Sequence, residues 1–245
     1  MGLFFMKSKR IVYIAVCICL GLLFSILSLN SGIAVASMAK NFAAYETVSP
    51  TIIIDPGHGG EDGGASSASG LLEKDLNLSI SLYLKSFLEQ SGFKVSLIRD
   101  GDYAVYDESA STLKEKKTSD LKNRLKICNS SENNIYISIH QNKFQQSSCK
   151  GTQVFYSPNN DVSKAFAEAV QSTVKNLLQN DNDRKIKPSN GSIYILDNSE
   201  VPCILVECGF ISNPDEAYLL STEEYQKQLS FALYLGFLDF YNNFY

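Results

Sequence analysis

Three apolar runs do most to constrain how this chain folds: Ile52-Ile53-Ile54, Ile135-Tyr136-Ile137-Ser138-Ile139 and Ile204-Leu205-Val206. Each is short, rich in β-formers and bounded by polar residues, as expected of a strand covered on both faces. Between them lie helical patterns, so strands and helices alternate. The expected strands are T-I-I-I-D, F-K-V-S-L-I-R, I-Y-I-S-I-H, G-T-Q-V-F-Y, I-Y-I-L and C-I-L-V-E. The first expected helix begins at Glu73 and stops at Gly92, a second resumes helical spacing over 120–129, and a third runs from Val162 to Leu178. The segments 101–118 and 180–192 are polar and read as loops. Asn213 before Pro214 is an N-cap signal, and Ser221 with Glu224 reads as a capping box opening a last helix striped by Tyr225, Leu229, Leu233 and Phe237. This alternation predicts an α/β fold: a single domain over residues 51–245, with a mainly parallel twisted sheet and helices on both faces.

The N-terminus has a different composition. Lys7, Lys9 and Arg10 precede a charge-free apolar run from Ile11 to Leu29, and Ala34-Val35-Ala36 has the small-x-small spacing of a signal-peptidase site. Residues 1–36 are therefore expected to be a signal peptide or a signal anchor, cleavage after Ala36 or Ala39 and retention both being open. Either outcome exports the body. Cys17 and Cys19 lack a small residue just before them, which disfavours a lipoprotein anchor. Residues 37–50 read as a tether ending at Pro50. Of 22 basic residues three lie in residues 1–36, leaving 19 against 26 acids in the remainder. That balance leaves no basic face for a nucleic-acid backbone. The body's four cysteines, Cys128, Cys149, Cys203 and Cys208, have no zinc-ribbon spacing and allow three disulfide pairings. Cys128 in a helical pattern and Cys203 in an apolar strand favour buried free thiols.

Reactive residues gather at the strand ends. Ligands of open α/β sheets sit outside the carboxyl ends of strands. His58 lies in the turn after Ile52–Ile54, His140 ends the 135–139 run, and Glu207 ends 204–206. Glu73 opens the helix after the glycine-rich loop G-H-G-G-E-D-G-G. That loop has no P-loop lysine, and its two acids would repel phosphate. A lone histidine at a strand end is ordinarily structural, but both histidines of this chain take equivalent places. Two imidazoles, a carboxylate and an open position suit a catalytic zinc, with a further carboxylate to take a proton from water. Glu73 alone could be a first-turn acid answering the helix dipole. Glu207 ends so apolar a run that it needs a partner or a raised pKa.

The segments I-I-I-D-P-G-H-G-G-E-D-G-G-A, L-L-E-K-D-L-N-L, L-K-N-R-L-K-I-C-N-S-S-E-N-N-I-Y-I-S-I-H-Q-N and P-C-I-L-V-E-C-G-F-I-S-N-P-D-E-A-Y-L-L, in that order, resemble the zinc-dependent N-acetylmuramoyl-L-alanine amidases of type 3, which cut peptidoglycan. The resemblance covers about residues 50–243. It implies Zn2+ as cofactor, His58, Glu73 and His140 as its ligands, and Glu207 as the catalytic acid/base. Asn142 and Arg124 are candidates for substrate contact, Arg124 equally for an ordinary helix salt bridge. Ile98-Arg99, Cys128 and Asp197 depart from the family's usual Thr-Arg, alanine and basic residue. The implied reaction is attack of an activated water on the lactyl carbonyl of muramic acid, with Glu207 passing the proton to the L-alanine nitrogen.

No cell-wall-binding repeat flanks the body, and only the 10 residues Gln141 to Lys150 follow His140 before the next strand, too few for an inhibitory helix. These features resemble the germination-specific, CwlD-type members, which act on spore cortex so that a partner deacetylase can form muramic δ-lactam. A vegetative autolysin or cell-separation amidase is the alternative. A non-catalytic peptidoglycan-binding module is disfavoured because His58, Glu73, His140 and Glu207 are all present. The expected partners are the glycan-peptide substrate, an accessory or activator protein and a coupled deacetylase, with the membrane engaged only through the N-terminal segment. The expected location is the cell wall or spore cortex space.

Overall fold

The computed structural model describes residues 49–245; the signal or anchor segment 1–36 and most of the 37–50 tether lie outside the described residues. Six strands form one sheet: β1 (Thr51–Pro56), β2 (Lys94–Leu97), β3 (Asn134–Asn142), β4 (Gln153–Tyr156), β5 (Lys187–Pro188) and β6 (Cys203–Phe210). Their order is β2-β1-β3-β6-β4-β5. The pairs around β1, β3 and β6 are parallel, while β4 runs antiparallel to β6. Between and after the strands come α1 (Glu73–Gln90), α2 (Leu113–Cys128), α3 (Ser163–Leu178), α4 (Tyr194–Asn198), α5 (Pro214–Ser221) and α6 (Glu223–Phe244). No helix among the described residues is long and apolar enough to cross a membrane.

Strand alternation divides the core between the two faces of the sheet. Ile52, Ile54, Ile137 and Val206 join α1, α3 and α6 in the larger cluster, where Phe166 stacks on Phe240 at 4.5 Å. Ile53, Tyr136, Cys203 and Leu205 face the other way, onto Cys128 of α2 and onto Ile195 and Leu196 of α4. Each such side chain, fully buried, contributes about 1.5–3 kcal/mol. The three central strands are thus fixed from both sides, and their carboxyl ends form a firm ledge. Cys128, Cys203 and Cys208 are buried, Cys149 is partly exposed, and all four are free thiols.

Four local expectations need correction. The 180–192 segment is not loop throughout, because Lys187–Pro188 pair with β4 as β5. Residues 193–196 are not a strand: Tyr194–Asn198 form a short helix. Asp197 accepts from the backbone N–H groups of Gly191 and Ile193, which tightens the turn, and Ile195 and Leu196 both reach the smaller core. Adjacent residues of a strand cannot both do so. The 101–118 segment is not loop throughout, because α2 begins at Leu113. Thr112 and Glu115 form a complete capping box there, ahead of polar turns that show no apolar stripe. The last helix is capped by Thr222, one residue after the expected Ser221, which instead closes α5. Asn213 caps α5 through its side chain, with Pro214 in the first turn.

Candidate metal centre at the carboxyl edge of the sheet

The turn after β1 is built from buried charge. Asp55, the last side chain before Pro56, is buried and ion-paired with Arg124 of α2. It also accepts from the hydroxyls of Tyr136 (2.7 Å) and Ser138 (2.9 Å). Burial alone would raise its pKa, but the Arg124 charge and these hydrogen bonds together hold it below the usual carboxylate range. Arg124 then donates to the carbonyls of Pro56 and His58, and Arg99 to those of Pro56 and Gly57. Asn77 of α1 adds a bond to the Gly57 carbonyl. Two guanidinium groups therefore satisfy the carbonyls that leave the sheet, where no further strand can pair them.

This clamp holds His58 at φ 63°, the only positive value outside glycine among the described residues. Such a conformation in a non-glycine residue persists where the surroundings over-determine it. Two glycines admit the close packing that follows. A Cβ on Gly57 would lie 2.2 Å from the His140 ring, and one on Gly64 (φ 67°) would lie 2.6 Å from Glu73 Oε2.

His58, Glu73 and His140 meet here, each offering a ligand atom within 4.8 Å of the others. His58 Nε2 is 3.2 Å and His140 Nδ1 2.9 Å from the same oxygen, Glu73 Oε1. That oxygen also accepts from the Gln141 N–H (3.0 Å), and Oε2 accepts from the Ala65 N–H (2.7 Å). Asp62 sits 2.9 Å from His58 Nδ1, which leaves Nε2 facing inward. Burial opposes a charged His58, but the bonds to Asp62 and Glu73 outweigh it and raise its pKa to about 9. The bond to His58, working against burial, takes Asp62 down to about 2. Glu73 is depressed well below the carboxylate range, its burial overcome by both imidazoles.

Glu207 stands on the neighbouring strand, in register with His140. Its Oε2 is shielded from solvent and has no hydrogen-bond partner. Burial raises its pKa to about 7, with the nearby Glu73 adding to the rise and both histidines opposing it. Asn142 lies beyond an irregularity in the β3–β6 register, half-buried, with its carbonyl bonded to Ile211 N–H. Arg124 lines the adjoining cleft of about 280 Å³, yet its guanidinium is committed to Asp55, Asp120 and the two turn carbonyls.

Sequence reasoning assigned no role to Arg99, Asn77, Gln141, Asp62 or Asp55. Only Asp55 carries a readable signal, the one Glu207 also shows: a carboxylate closing an apolar strand.

A family model described as N-acetylmuramoyl-L-alanine amidase matches residues 52–238. The chain is 36% identical over 190 residues to the germination-specific N-acetylmuramoyl-L-alanine amidase of Bacillus subtilis (strain 168), covering 78% of this chain and 79% of that protein. Among solved structures it is similar to the CwlD amidase from Clostridioides difficile in complex with the GerS lipoprotein. The TM-score there is 0.76 at 39% identity, over 79% of this chain and 99% of that one. The N-acetylmuramoyl-L-alanine amidase AmiC2 of Nostoc punctiforme gives 0.68 at 31% identity, over 79% and 98%.

Proposed function

The chain belongs to the N-acetylmuramoyl-L-alanine amidase family, and we propose from that premise that His58, Glu73 and His140 hold a zinc ion while Glu207 moves the protons of amide hydrolysis. The enzyme is a hydrolase of peptidoglycan, and the cell wall is where its substrate lies. One observation carries the assignment of roles. Both histidines converge on a single buried carboxylate oxygen, and the neighbouring strand presents a second carboxylate whose buried Oε2 has no hydrogen-bond partner.

The donor set fits the metal. Two imidazole nitrogens and one carboxylate oxygen, with room for a further position, are a common catalytic zinc set. Zinc bound there supplies Lewis acidity, acidifying water and polarising the scissile carbonyl. The chain's own residues do the rest. Asp62 fixes the His58 tautomer, and the Ala65 and Gln141 N–H groups hold the Glu73 carboxylate in one orientation. Glu207, with a pKa raised to about 7, is suited both to accept a proton from the attacking water and to return it to the departing alanine nitrogen. Arg124 and Arg99 act on the turn; Arg124 is a positioning residue, and Asn142 is retained as the weaker candidate for substrate contact.

Peptidoglycan digested by the zinc-loaded body should yield new L-alanine amino termini. Glu207→Gln should cut that rate by about 10²–10⁴-fold with metal content unchanged. Wild-type rates in Glu207→Gln, or no new alanine termini at all, would end this reading.

The biological setting is a finer proposal. Kinship with a germination-specific amidase supports action on spore cortex after export directed by residues 1–36, coupled to a deacetylase that closes muramic δ-lactam. The similar amidase solved with a lipoprotein supports an accessory partner for this chain too. Spores lacking the protein should then lack muramic δ-lactam; normal δ-lactam would point instead to a vegetative cell-wall role.

A further inference from the structure

The buried stripe of α1 is apolar at Leu76, Ile80, Leu84 and Leu88, but it opens with Glu73 and, one turn on, Asn77. Asn77 is 0% exposed, and a buried amide is costly unless both of its ends are bonded. Here both are: Nδ2 donates to the Gly57 carbonyl and Oδ1 accepts from Gln141 Nε2, each at 3.1 Å. These partners adjoin the two histidines, since Gly57 immediately precedes His58 and Gln141 immediately follows His140. Among the described residues, Asn77 and Glu73 are the α1 side chains bonded to both the β1 turn and β3. Other bonds join these segments in pairs. Gly57 N–H donates to the Ile139 carbonyl (3.0 Å), and Arg99 Nη2 bridges the carbonyls of Gly57 and Lys74.

Resting on the zinc reading above, we propose that Asn77 is a positioning residue for the metal site. Through Gly57 and Gln141 it holds the His58 turn, the His140 strand and the Glu73 helix at the separation the ion needs. A carboxylate oxygen that ligates a metal no longer serves as a tie between its neighbours. The spacing of the three segments then falls to bonds that do not ligate, and Asn77 supplies two of them in one side chain. Groups that stand behind metal ligands ordinarily set affinity by 10–100-fold when removed. Arg99 still bonds the Gly57 carbonyl if Asn77 is lost, so the effect should be about tenfold, at the low end of that range.

The test reads metal binding, so that it stands apart from turnover. Full-length protein is stripped of metal, and its zinc affinity is measured by competition with a chelator where every variant is folded. Cobalt(II) in place of zinc adds a visible spectrum that reports the arrangement of the ligands. Asn77→Leu keeps the branched outline and removes both bonds; it should weaken zinc about tenfold and shift the cobalt bands. Gln141→Leu should do the same more weakly, and the double variant should fall short of additivity because the two residues share one bond. Leu84→Ala leaves a cavity two turns along the same buried face and should change neither readout. Unchanged affinity and an unaltered cobalt spectrum in Asn77→Leu, or an equal loss in Leu84→Ala, overturns the proposal. Wild-type protein that takes up no zinc would overturn the zinc reading itself, whereas zinc bound equally by wild type and Asn77→Leu removes only the role of Asn77.

Discussion

The two shoulders of the site, the turn after β1 and the Glu207 stretch of β6, hold their charges in opposite ways. On the first, Asp55, Arg124 and Arg99 are buried, and every one of them is paired or bonded to turn carbonyls. On the second, Glu207 has a solvent-shielded oxygen with no partner. A satisfied network fixes geometry, whereas an unsatisfied buried carboxylate is chemically poised and costs stability. On the roles proposed for them, the first shoulder would keep the ligands in place, and the second would keep a proton acceptor available.

That contrast predicts opposite outcomes from two substitutions. Arg124→Met removes one partner of a buried pair and should lower unfolding stability by about 3–5 kcal/mol, toward the low end because Tyr136 and Ser138 still bond Asp55. Glu207→Gln should leave the denaturation midpoint unchanged or raised, since it takes away a buried group that ionises without a partner. Urea unfolding of both variants settles the comparison. If Glu207→Gln proves the more destabilising, the division between a rigid and a poised shoulder is broken.

Much of this edge is readable in the residues, for a physical reason. Apolar runs are fixed by burial, so the residues at their carboxyl ends land on the ledge: His58 in the turn after β1, and His140 and Glu207 immediately after the apolar runs of β3 and β6. The clamp is harder to read. Arg99 and Arg124 bond backbone carbonyls far away in sequence, and no periodicity records which carbonyls a fold leaves unpaired. The 193–196 run fails for a different reason: four residues with three apolar ones fit a strand or a buried helical turn equally, and Asp197 decides between them. Antiparallel β4 likewise has no mark of its direction in Q-V-F-Y.

A smaller effect sharpens the first shoulder. His58 must be neutral to bind a metal, and its metal-free pKa is raised to about 9 by Asp62 and Glu73 against the effect of burial. Zinc affinity should therefore climb by up to about tenfold per pH unit below that point and level off above it. Asp62→Asn should move the bend to lower pH, measurable by competition with a chelator. The linkage to folding has the opposite sign. A raised histidine pKa stabilises the metal-free fold fully below the unfolded value of about 6.5, and the contribution disappears as pH rises through about 9. Asp62→Asn should flatten that slope; an unshifted zinc curve would mean that Asp62 does not govern the His58 proton.

The smallest expected effect concerns the cleft wall and not the ledge. The Thr112 hydroxyl accepts from Glu115 N–H, and the Glu115 carboxylate accepts from Thr112 N–H, closing the box that starts α2 one to two turns before the cleft-lining Lys117 and Asp120. Thr112→Ala should cost about 1 kcal/mol. Because Arg124 anchors the far half of the same helix to Asp55, fraying should stay within the first turns and leave the metal ligands in place. Amide exchange should quicken over residues 113–117 alone, with zinc affinity unchanged. Loss of zinc affinity in Thr112→Ala would show that the wall and the ledge move as one, and that the clamp at Arg124 does not isolate them.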